Sequence, residues 1–470
     1  MTTTSTAPPI ATGPPPAVRP LPPVLLLLAL AAHAPMALAM QSSRTLATAQ
    51  AALTVAAVLW VLAAARTPGP LVAAAGYVAG CEVLWRQTQA AVPWEVGKYL
   101  LLLVFSVGIF RFVGRIERWG VVGLFLASLV PATVVPVVRL GFLGAVDPLS
   151  FNLAGLVALA AGVLFLSRVA GPWESVTPAL WAFVAPVLGI ATLAAASLRG
   201  LGARDFFNDS NLRSSGGFGP NQVSAVLGLA ALFLVLIAVR ERRVVLQVVA
   251  LALGLWCTVQ ALLTFSRGGV VNLAVALLCA LPFLLRRRET AARVLVIGLT
   301  VAIAGTVFIL PRLDDYTGGA LERRFSRSRE EERRAELIQR DYETFTEHPG
   351  LGVGVGQSEF YRIERRLIAS HTEYTRLLAE HGLLGIVALL CLAAMVVTAF
   401  RRQRLSLGQA WVAALVAWTA LELSHSSTRL AAVAFTFALA QFAIVDASAR
   451  PAARDAVPDA AGHRPGGSAP

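Results

Sequence analysis

The interval from Pro311 to Gly385 contains the sequences LERRFSRSREEERRAELIQR (321–340), HPGLGVGVG (348–356) and SHTEYTRLLAEHGLLG (370–385). It is the longest polar interval in an otherwise apolar chain. Apolar runs lie on both sides of it, and most have the length that a helix needs to cross a bilayer. This contrast predicts a helical membrane scaffold that holds one large polar segment at a single face.

The composition is typical of a membrane protein. Of 470 residues, 56% are hydrophobic and 14% are charged, whereas a soluble domain is about 25% charged. The net charge of +13 does not indicate nucleic-acid binding, because the arginines cluster in short connections between apolar runs. The four cysteines lie inside apolar runs without metal-ligand spacing, so we expect neither disulfides nor a zinc site.

Apolar runs predict an all-α, polytopic fold with twelve to fourteen transmembrane helices, and fourteen is the best count. The candidate spans are 22–40, 46–65, 71–86, 97–114, 119–138, 150–168, 177–197, 221–239, 244–264, 268–285, 293–311, 382–400, 408–424 and 428–446. The first run lacks a basic flank, so we expect a membrane helix rather than a signal peptide. The predicted regions are a disordered tail (1–20), a transmembrane bundle (21–311), an extracytoplasmic loop containing helices (312–382), C-terminal spans (383–447) and a second disordered tail (448–470).

Four arginine-rich connections set the predicted orientation. With fourteen spans they fall on the same side as both termini, which should be cytoplasmic. They contain Arg111, Arg115 and Arg118, then Arg240, Arg242 and Arg243, then Arg286, Arg287, Arg288 and Arg293, and finally Arg401, Arg402 and Arg404. The opposite face receives the segments 199–221, 266–269 and 312–382, which also carry arginines. Arginine on this disfavoured side indicates an anionic partner such as a phosphate.

Two arginines of these outer segments are candidates for phosphate binding. Arg213 precedes a Ser/Gly-rich run that ends at Asn221, near the expected start of a helix. Arg267 follows Ser266 at a membrane boundary and precedes two glycines. A guanidinium can hold a phosphate through two hydrogen bonds. The alternatives are an ordinary capped loop at Arg213 and a snorkelling side chain at Arg267.

The long polar interval begins with features that have ordinary explanations. The charged helix predicted over 321–345 is typical of a solvated, salt-bridged surface. The glycine-rich turn after His348 lacks the Lys-Ser/Thr of a nucleotide-binding loop. The pairs Asp314-Asp315 and Asn208-Asp209 have no second acidic cluster beside them, so no metal site is expected.

The end of the interval contains a candidate general base. A helix starting near Ser370 would place His371 and Tyr374 on one face and Glu380 on the adjoining face. A histidine can accept a proton from a hydroxyl nucleophile, although a lone histidine is more often structural. His425 and Glu422, near the outer end of a predicted span, are weaker candidates for the same cavity.

Four patterns in a fixed order resemble the bacterial O-antigen ligase and O-antigen polymerase superfamily of integral membrane proteins. They are Arg213 with the run to Asn221, Ser266-Arg267-Gly268-Gly269, Arg334 followed by His348-Pro349-Gly350-Leu351-Gly352-Val353-Gly354, and His371-Thr372-Glu373-Tyr374 with Leu378-Ala379-Glu380-His381-Gly382-Leu383-Leu384-Gly385. The resemblance covers residues 200–400. It departs from the superfamily at Thr372, where Asn is common, at Ile338, where an aromatic residue often lies, and in its higher span count.

The resemblance implies a GT-C-like membrane glycosyltransferase of cell-envelope or exopolysaccharide biogenesis. Similar proteins transfer a glycan from undecaprenyl diphosphate to a hydroxyl of a glycan, lipid or protein acceptor, outside the cytoplasmic membrane. They invert the anomeric carbon and need no metal or other cofactor. On this resemblance, Arg213, Arg267 and Arg334 hold the diphosphate and His371 deprotonates or orients the acceptor. The supporting candidates are Asn221, Ser266, His348, Tyr374, Glu380 and His425.

Two other functional classes stay open. A transporter or flippase of lipid-linked or anionic substrates would show inverted repeats and helices broken at the membrane midplane. The sequence has no evident repeat, and its polar residues gather at one face. A non-catalytic scaffold would give Arg213, Arg267 and His371 no reason to converge. Ligase and polymerase activity are not distinguished by the sequence.

Overall fold

A computed structural model describes residues 22–113, 120–206, 210–326, 329–361, 372–425 and 427–446, leaving out the side chains of Glu289, residues 325–326, residues 329–334 and Ser427. The α-helices of the described residues are α1 (Pro23–Ser42), α2 (Arg44–Ala64), α3 (Pro68–Gln87), α4 (Val96–Gly108), α5 (Gly120–Leu129), α6 (Val134–Leu166), α7 (Thr177–Ser197), α8 (Pro220–Arg240), α9 (Val244–Leu263), α10 (Arg267–Leu284), α11 (Arg288–Ile303), α12 (Leu310–Tyr316), α13 (Ala320–Ser326), α14 (Arg329–Glu347), α15 (Glu373–His381), α16 (Leu383–Arg402), α17 (Ser406–His425) and α18 (Ala431–Leu439). Two-residue strands, β1 (Ala170–Gly171) and β2 (Ala443–Ile444), pair in parallel. The all-α fold class is confirmed.

Eleven helical stretches of the described residues are long and apolar enough to cross a membrane. They confirm a polytopic helical protein but not the count of fourteen. Helix α3 has the length of a span but carries Glu82 and Arg86, which lower its hydropathy. The predicted spans 119–138 and 150–168 lie in one helical stretch, Gly120–Leu166. The predicted span 428–446 contains α18, which has nine residues because the chain then leaves the helix to form β2.

The stretch Gly120–Leu166 changes direction inside α6. Gly141 has a φ of 72°, a left-handed conformation that glycine adopts at little cost. The second half of α6 brings Asn152 to the polar interval, where its backbone carbonyl accepts a hydrogen bond from Arg376 at 3.1 Å. The turn at Gly141 therefore contributes to the position of a polar cluster described below.

The centre of the bundle contains closely packed α3, α7, α8 and α18. A methyl group at Gly76 or Gly80 of α3 would lie 2.4 Å from the carbonyl oxygen of Ala179 or Phe183 of α7. Small residues four apart allow two membrane helices to approach at backbone distance. Helix α8 is apolar on all sides, and 89% of its span is buried, as expected for a central helix.

The two ends of the bundle differ in their chemistry. At one end, arginine-rich connections contact neighbouring helix ends: Arg286 donates to Gln409 Oε1 at 2.7 Å, and Arg402 donates to the carbonyl of Gln441 at 3.1 Å. We call this the basic end. At the opposite end, α3, α7, α9 and α17 finish and α4, α8, α10, α16 and α18 begin. The polar interval joins this end through Tyr316, whose hydroxyl donates to the carbonyl of Leu198 at 3.3 Å. We call it the polar end.

Candidate functional site

The loop before α8 is held by its own short polar side chains. Asn211 Oδ1 accepts a hydrogen bond from the N–H of Arg213 at 2.9 Å, and Ser215 Oγ donates to the carbonyl of Phe218 at 2.6 Å. These local bonds replace regular structure in a loop rich in glycine and serine. The Arg213 side chain is 70% exposed and pairs with Asp205 at 3.0 Å. The loop therefore presents Arg213 at the surface of the polar end.

The junction between α9 and α10 contains a strained residue. Phe265 has a φ of 57°, a left-handed conformation that is rare for a bulky side chain. Its carbonyl accepts a 2.8 Å hydrogen bond from Nε of Arg324, a buried residue of α13. Ser266 follows in extended conformation, and the half-buried Arg267 begins α10. Residues held in rare backbone conformations concentrate at functional sites, and this one sets the direction in which α10 starts.

The loop is hydrogen-bonded to this junction. Ser214 Oγ donates to the carbonyl of Leu263 at 2.6 Å. The N–H of Asn211 donates to the carbonyl of Thr264 at 3.0 Å. The segment that carries the first predicted phosphate-binding arginine therefore lies against the segment that carries the second.

The first turns of α8 and α10 lie side by side. Ser266 Oγ donates to Asn221 Oδ1 at 2.8 Å, and Ser224 Oγ donates to the carbonyl of Ser266 at 2.9 Å. A methyl group at Gly269 would lie 1.9 Å from the carbonyl oxygen of Ser224, so glycine allows the two backbones to touch. Two helix N-termini, each with a positive dipole end, therefore meet beside Arg267.

The end of α17 brings two more predicted residues to this place. His425 lies beside the first turn of α10, since a methyl group at Gly268 would be 3.9 Å from its Cδ2 atom. The hydroxyl of Tyr374 donates to the carbonyl of Ala420 at 2.9 Å. The start of α15 is thereby fixed to α17, which contacts α10.

Helix α15 begins at Glu373 rather than near Ser370. Thr372 caps it: its backbone is extended and its side chain accepts the N–H of Tyr374 at 3.3 Å. A threonine at this position satisfies an N–H that the first helical turn leaves without a partner, so the helix starts later than its periodicity predicts.

A buried ion cluster holds α15 in place. Arg376 pairs with Glu373 and, at 2.7 Å, with Glu380. The N–H of Thr428 donates to Glu373 at 3.2 Å, which ties the cluster to the segment before α18. Burial alone would lower the pKa of the Arg376 guanidinium, but the charges of Glu373 and Glu380 outweigh burial and raise it. Ser358 Oγ donates to Glu380 at 3.0 Å. Glu380, predicted as a supporting site residue, is therefore occupied by structural contacts.

The glycine-rich turn 348–356 is packed against α15. The N–H groups of Val353 and Gly354 donate to the last carbonyls of that helix, both at 3.0 Å. These donors are satisfied within the protein and are not arranged to cradle a phosphate. His348 is exposed at the start of the turn, with its ring centroid 5.4 Å from that of Tyr361. Its supporting role at the site stays a prediction.

Arg86, a buried arginine of the polar end, is not among the residues predicted from the sequence. Arg86 pairs with Glu82 at 3.0 Å and donates to Gln222 Oε1 at 2.8 Å, in the first turn of α8. It also donates to the carbonyl of Arg429 at 3.2 Å, and its guanidinium lies 4.3 Å from the centre of a Trp94 ring. The signal was available, because an ionisable pair four residues apart inside an apolar run is costly in a membrane and indicates function.

Two predicted site residues are not placed relative to this cluster. His371 lies outside the described residues, and so does the side chain of Arg334, although α14 includes that position. Asn208-Asp209 also falls outside them. Thr375 Oγ1 donates to Asp341 Oδ2 at 2.8 Å, which anchors α14 to α15. Within the part of the chain that the structure describes, no three His, Cys, Asp or Glu side chains are grouped as metal ligands.

Comparison with known proteins identifies one family. Residues 252–390 match the model of the O-antigen ligase family. The matched range includes the strained junction, Arg267, the polar interval and α15, whereas the loop of Arg213 precedes it. The match supports the resemblance and includes three of its four patterns, those of Arg267, Arg334 and His371. No curated protein matches the sequence significantly.

Proposed function

We propose that this chain, whose match supports membership of the O-antigen ligase family, transfers a glycan from a polyprenyl diphosphate to an acceptor hydroxyl at the polar end. The observation that carries the proposal is the hydrogen-bonded contact between the Arg213 loop and the junction before Arg267. Transfer to a lipid or protein would make the chain a ligase, and transfer to another carrier-linked glycan would make it a polymerase. Both activities form a glycosidic bond.

The carrier diphosphate would bind between Arg213 and Arg267. Arg213 is available because its pair with Asp205 is exposed, and exposed pairs are worth only about 0–1 kcal/mol. The adjacent N-termini of α8 and α10 add positive potential and N–H donors. A phosphate with a long isoprenoid chain would approach from the lipid and meet these groups at the membrane boundary.

The transfer would proceed as an inverting displacement. The acceptor oxygen forms a bond to the anomeric carbon, the bond from that carbon to the diphosphate oxygen breaks, and the proton of the hydroxyl passes to His371. The leaving diphosphate gains negative charge, which the fixed guanidinium groups stabilise without a metal ion. One such preorganised contact typically contributes roughly 3–4 kcal/mol to the transition state. A general base contributes about 10²–10⁴-fold in rate.

The buried cluster around Arg376 fixes the helix that follows the proposed base in the sequence. His371 is the second residue before α15, and α15 is fixed by Arg376 to α6 and by Thr428 to the segment before α18. Position within about 1 Å decides whether a base reaches its proton. In the proposed orientation the basic end and both termini are cytoplasmic, and the polar end faces outward.

The test is reconstitution of the purified full-length protein in liposomes with a polyprenyl-diphosphate-linked glycan, with and without a lipid acceptor and with EDTA. New glycosidic bonds that form in EDTA are the expected result. Longer carrier-linked chains would assign a polymerase, and labelled acceptor would assign a ligase. Movement of the carrier-linked glycan across the bilayer without any new bond would contradict the proposal and favour a transporter.

A further inference from the structure

A pocket opens beside the candidate site, in a part of the chain that the family match does not cover. Its volume is about 310 Å³, and its walls come from α2, α3 and the segment that joins α3 to α4. That volume lies at the lower end of the range for small-ligand sites, roughly 300–1,000 Å³. Its wall includes Arg44, Glu82, Trp85, Arg86, Gln89 and Trp94.

The pocket combines aromatic faces with polar groups. Trp94 is 49% exposed, whereas Trp85 is buried and its indole N–H is already donated to Gln50 Oε1 at 2.6 Å. An aromatic face beside hydrogen-bonding groups matches a sugar ring, which has an apolar C–H face and a rim of hydroxyls. The carboxylate of Glu82 neutralises Arg86 at 3.0 Å. The buried part of the wall therefore carries little net charge, and the exposed Arg44 adds one positive charge to the wall.

The pocket adjoins the candidate site directly. The ring of Trp94 lies 6.1 Å, between centroids, from that of Phe218 in the Arg213 loop. Arg86 donates to Gln222 of α8, next to Asn221, which accepts from Ser266. A glycan whose diphosphate lies at Arg213 and Arg267 would therefore have its sugars, or those of the acceptor, within reach of the Trp94 pocket.

Backbone strain occurs both in the Trp94 pocket and at the junction before Arg267. Among the described residues, the non-glycine residues with a positive φ are Gln89, at 55°, and Phe265, at 57°. Gln89 lines the pocket and Phe265 precedes Ser266 at the arginine junction. Strained residues persist where surrounding structure holds them for function. The coincidence indicates that the pocket is a built site.

We propose that the Trp94 pocket binds one pyranose ring of the glycan substrate, with the ring stacked on Trp94 and its hydroxyls bonded to Arg44 and Gln89, the exposed polar side chains of the wall. The inference rests on the proposed function, since it assigns a subsite to that reaction. The bound pyranose ring could belong to the donor glycan or to the acceptor glycan. The pocket would then select which sugar is transferred or extended.

The experiment uses full-length protein in nanodiscs and a fluorescent oligosaccharide released by mild acid from the source organism's envelope polysaccharide. Binding is measured for the unaltered protein, Trp94→Ala, Trp94→Tyr and Arg267→Ala, with inorganic phosphate as a competitor. Trp94→Ala should weaken oligosaccharide binding about tenfold, Trp94→Tyr should retain most of it, and phosphate should not compete. The exposure of Trp94 makes unfolding of the variant unexpected, and a circular dichroism melt checks it.

Equal binding by the unaltered protein and Trp94→Ala would overturn the assignment, as would competition by phosphate at the pocket. The source of the sugar is read from kinetics in the reconstituted transfer assay. A raised KM for the carrier-linked glycan assigns the donor, and a raised KM for the acceptor assigns the acceptor. Failure of the proposed function gives a different pattern, in which Trp94→Ala loses oligosaccharide binding but no preparation forms a glycosidic bond.

Discussion

Replacement of Arg376 by Met should destabilise the protein by about 3–5 kcal/mol, the typical cost of removing one partner from a buried ion pair. Glu373 is 0% exposed and Glu380 is 1% exposed, so without the guanidinium two carboxylates would face each other away from water. The carbonyl of Asn152 would also lose its 3.1 Å donor. Methionine fills most of the volume, so cavity formation adds little to the cost.

Reversible unfolding in mixed micelles, with increasing denaturing detergent, measures this free energy. Arg340→Met is the matched control, because Arg340 pairs with Glu343 at 2.7 Å with both side chains more than a third exposed, and the pair is worth at most about 1 kcal/mol. The triple variant Glu373→Gln, Arg376→Met, Glu380→Gln should recover much of the loss, since it leaves no buried charge. A loss for Arg376→Met no larger than that of Arg340→Met would refute the reasoning.

Three further changes test other parts of the structure. Gly269→Ala places a methyl group 1.9 Å from the Ser224 carbonyl and should cost roughly 1–3 kcal/mol in the same unfolding assay, whereas Gly298→Ala, with nothing within 4 Å, should be neutral. Burial lowers the pKa of His381 to about 3, below its unfolded value of about 6.5. Between these pH values the imidazole is protonated in the unfolded chain but not in the folded protein. The free energy of unfolding should therefore fall as the pH falls, by up to about 1.4 kcal/mol per pH unit. His381→Gln should remove this pH dependence. His371→Ala should lower glycan transfer by about 10²–10⁴ at normal protein level, and an unchanged rate would exclude it as the base.

The helical architecture followed from the sequence because the bilayer imposes a length and a polarity on each span. Where a helix differs from its prediction, a specific contact explains the difference. Helix α3 was predicted as an ordinary span, but its Glu82 and Arg86 are buried partners of other helices. Helix α18 is short because Ala443–Ile444 pairs with β1, a long-range contact that no local pattern encodes.

The candidate site was predicted in part. Local motifs identified Arg213, Asn221, Ser266 and Arg267, and the hydrogen bonds between their segments place them together. The roles of these residues stay proposals. Glu380 was predicted from its position on a helix face. Its ion pair with the buried Arg376 could not be predicted, because that contact depends on tertiary packing.

Other features of the polar end could not be predicted from the sequence. Phe265 is an apolar residue near the end of an apolar run, so no local pattern predicts its positive φ or the hydrogen bond that its carbonyl accepts from Arg324 of α13. Glu422 was predicted as a weaker candidate, but its 2.9 Å hydrogen bond from Asn272, 150 positions away in the chain, was not. Pairs of this kind depend on which helices become neighbours, and helix order in space is not specified by hydropathy.

The rate of glycan transfer by Arg267→Ala tests whether arginines at the polar end stabilise the departing diphosphate. The measurement compares unaltered protein, Arg267→Ala and Arg242→Ala in liposomes with saturating carrier-linked glycan, because Arg242 is an exposed arginine of the basic end. Arg267→Ala should lower the rate about 10²–10³-fold, as loss of one preorganised donor does, while Arg242→Ala retains it. Equal rates for the two variants would contradict the account.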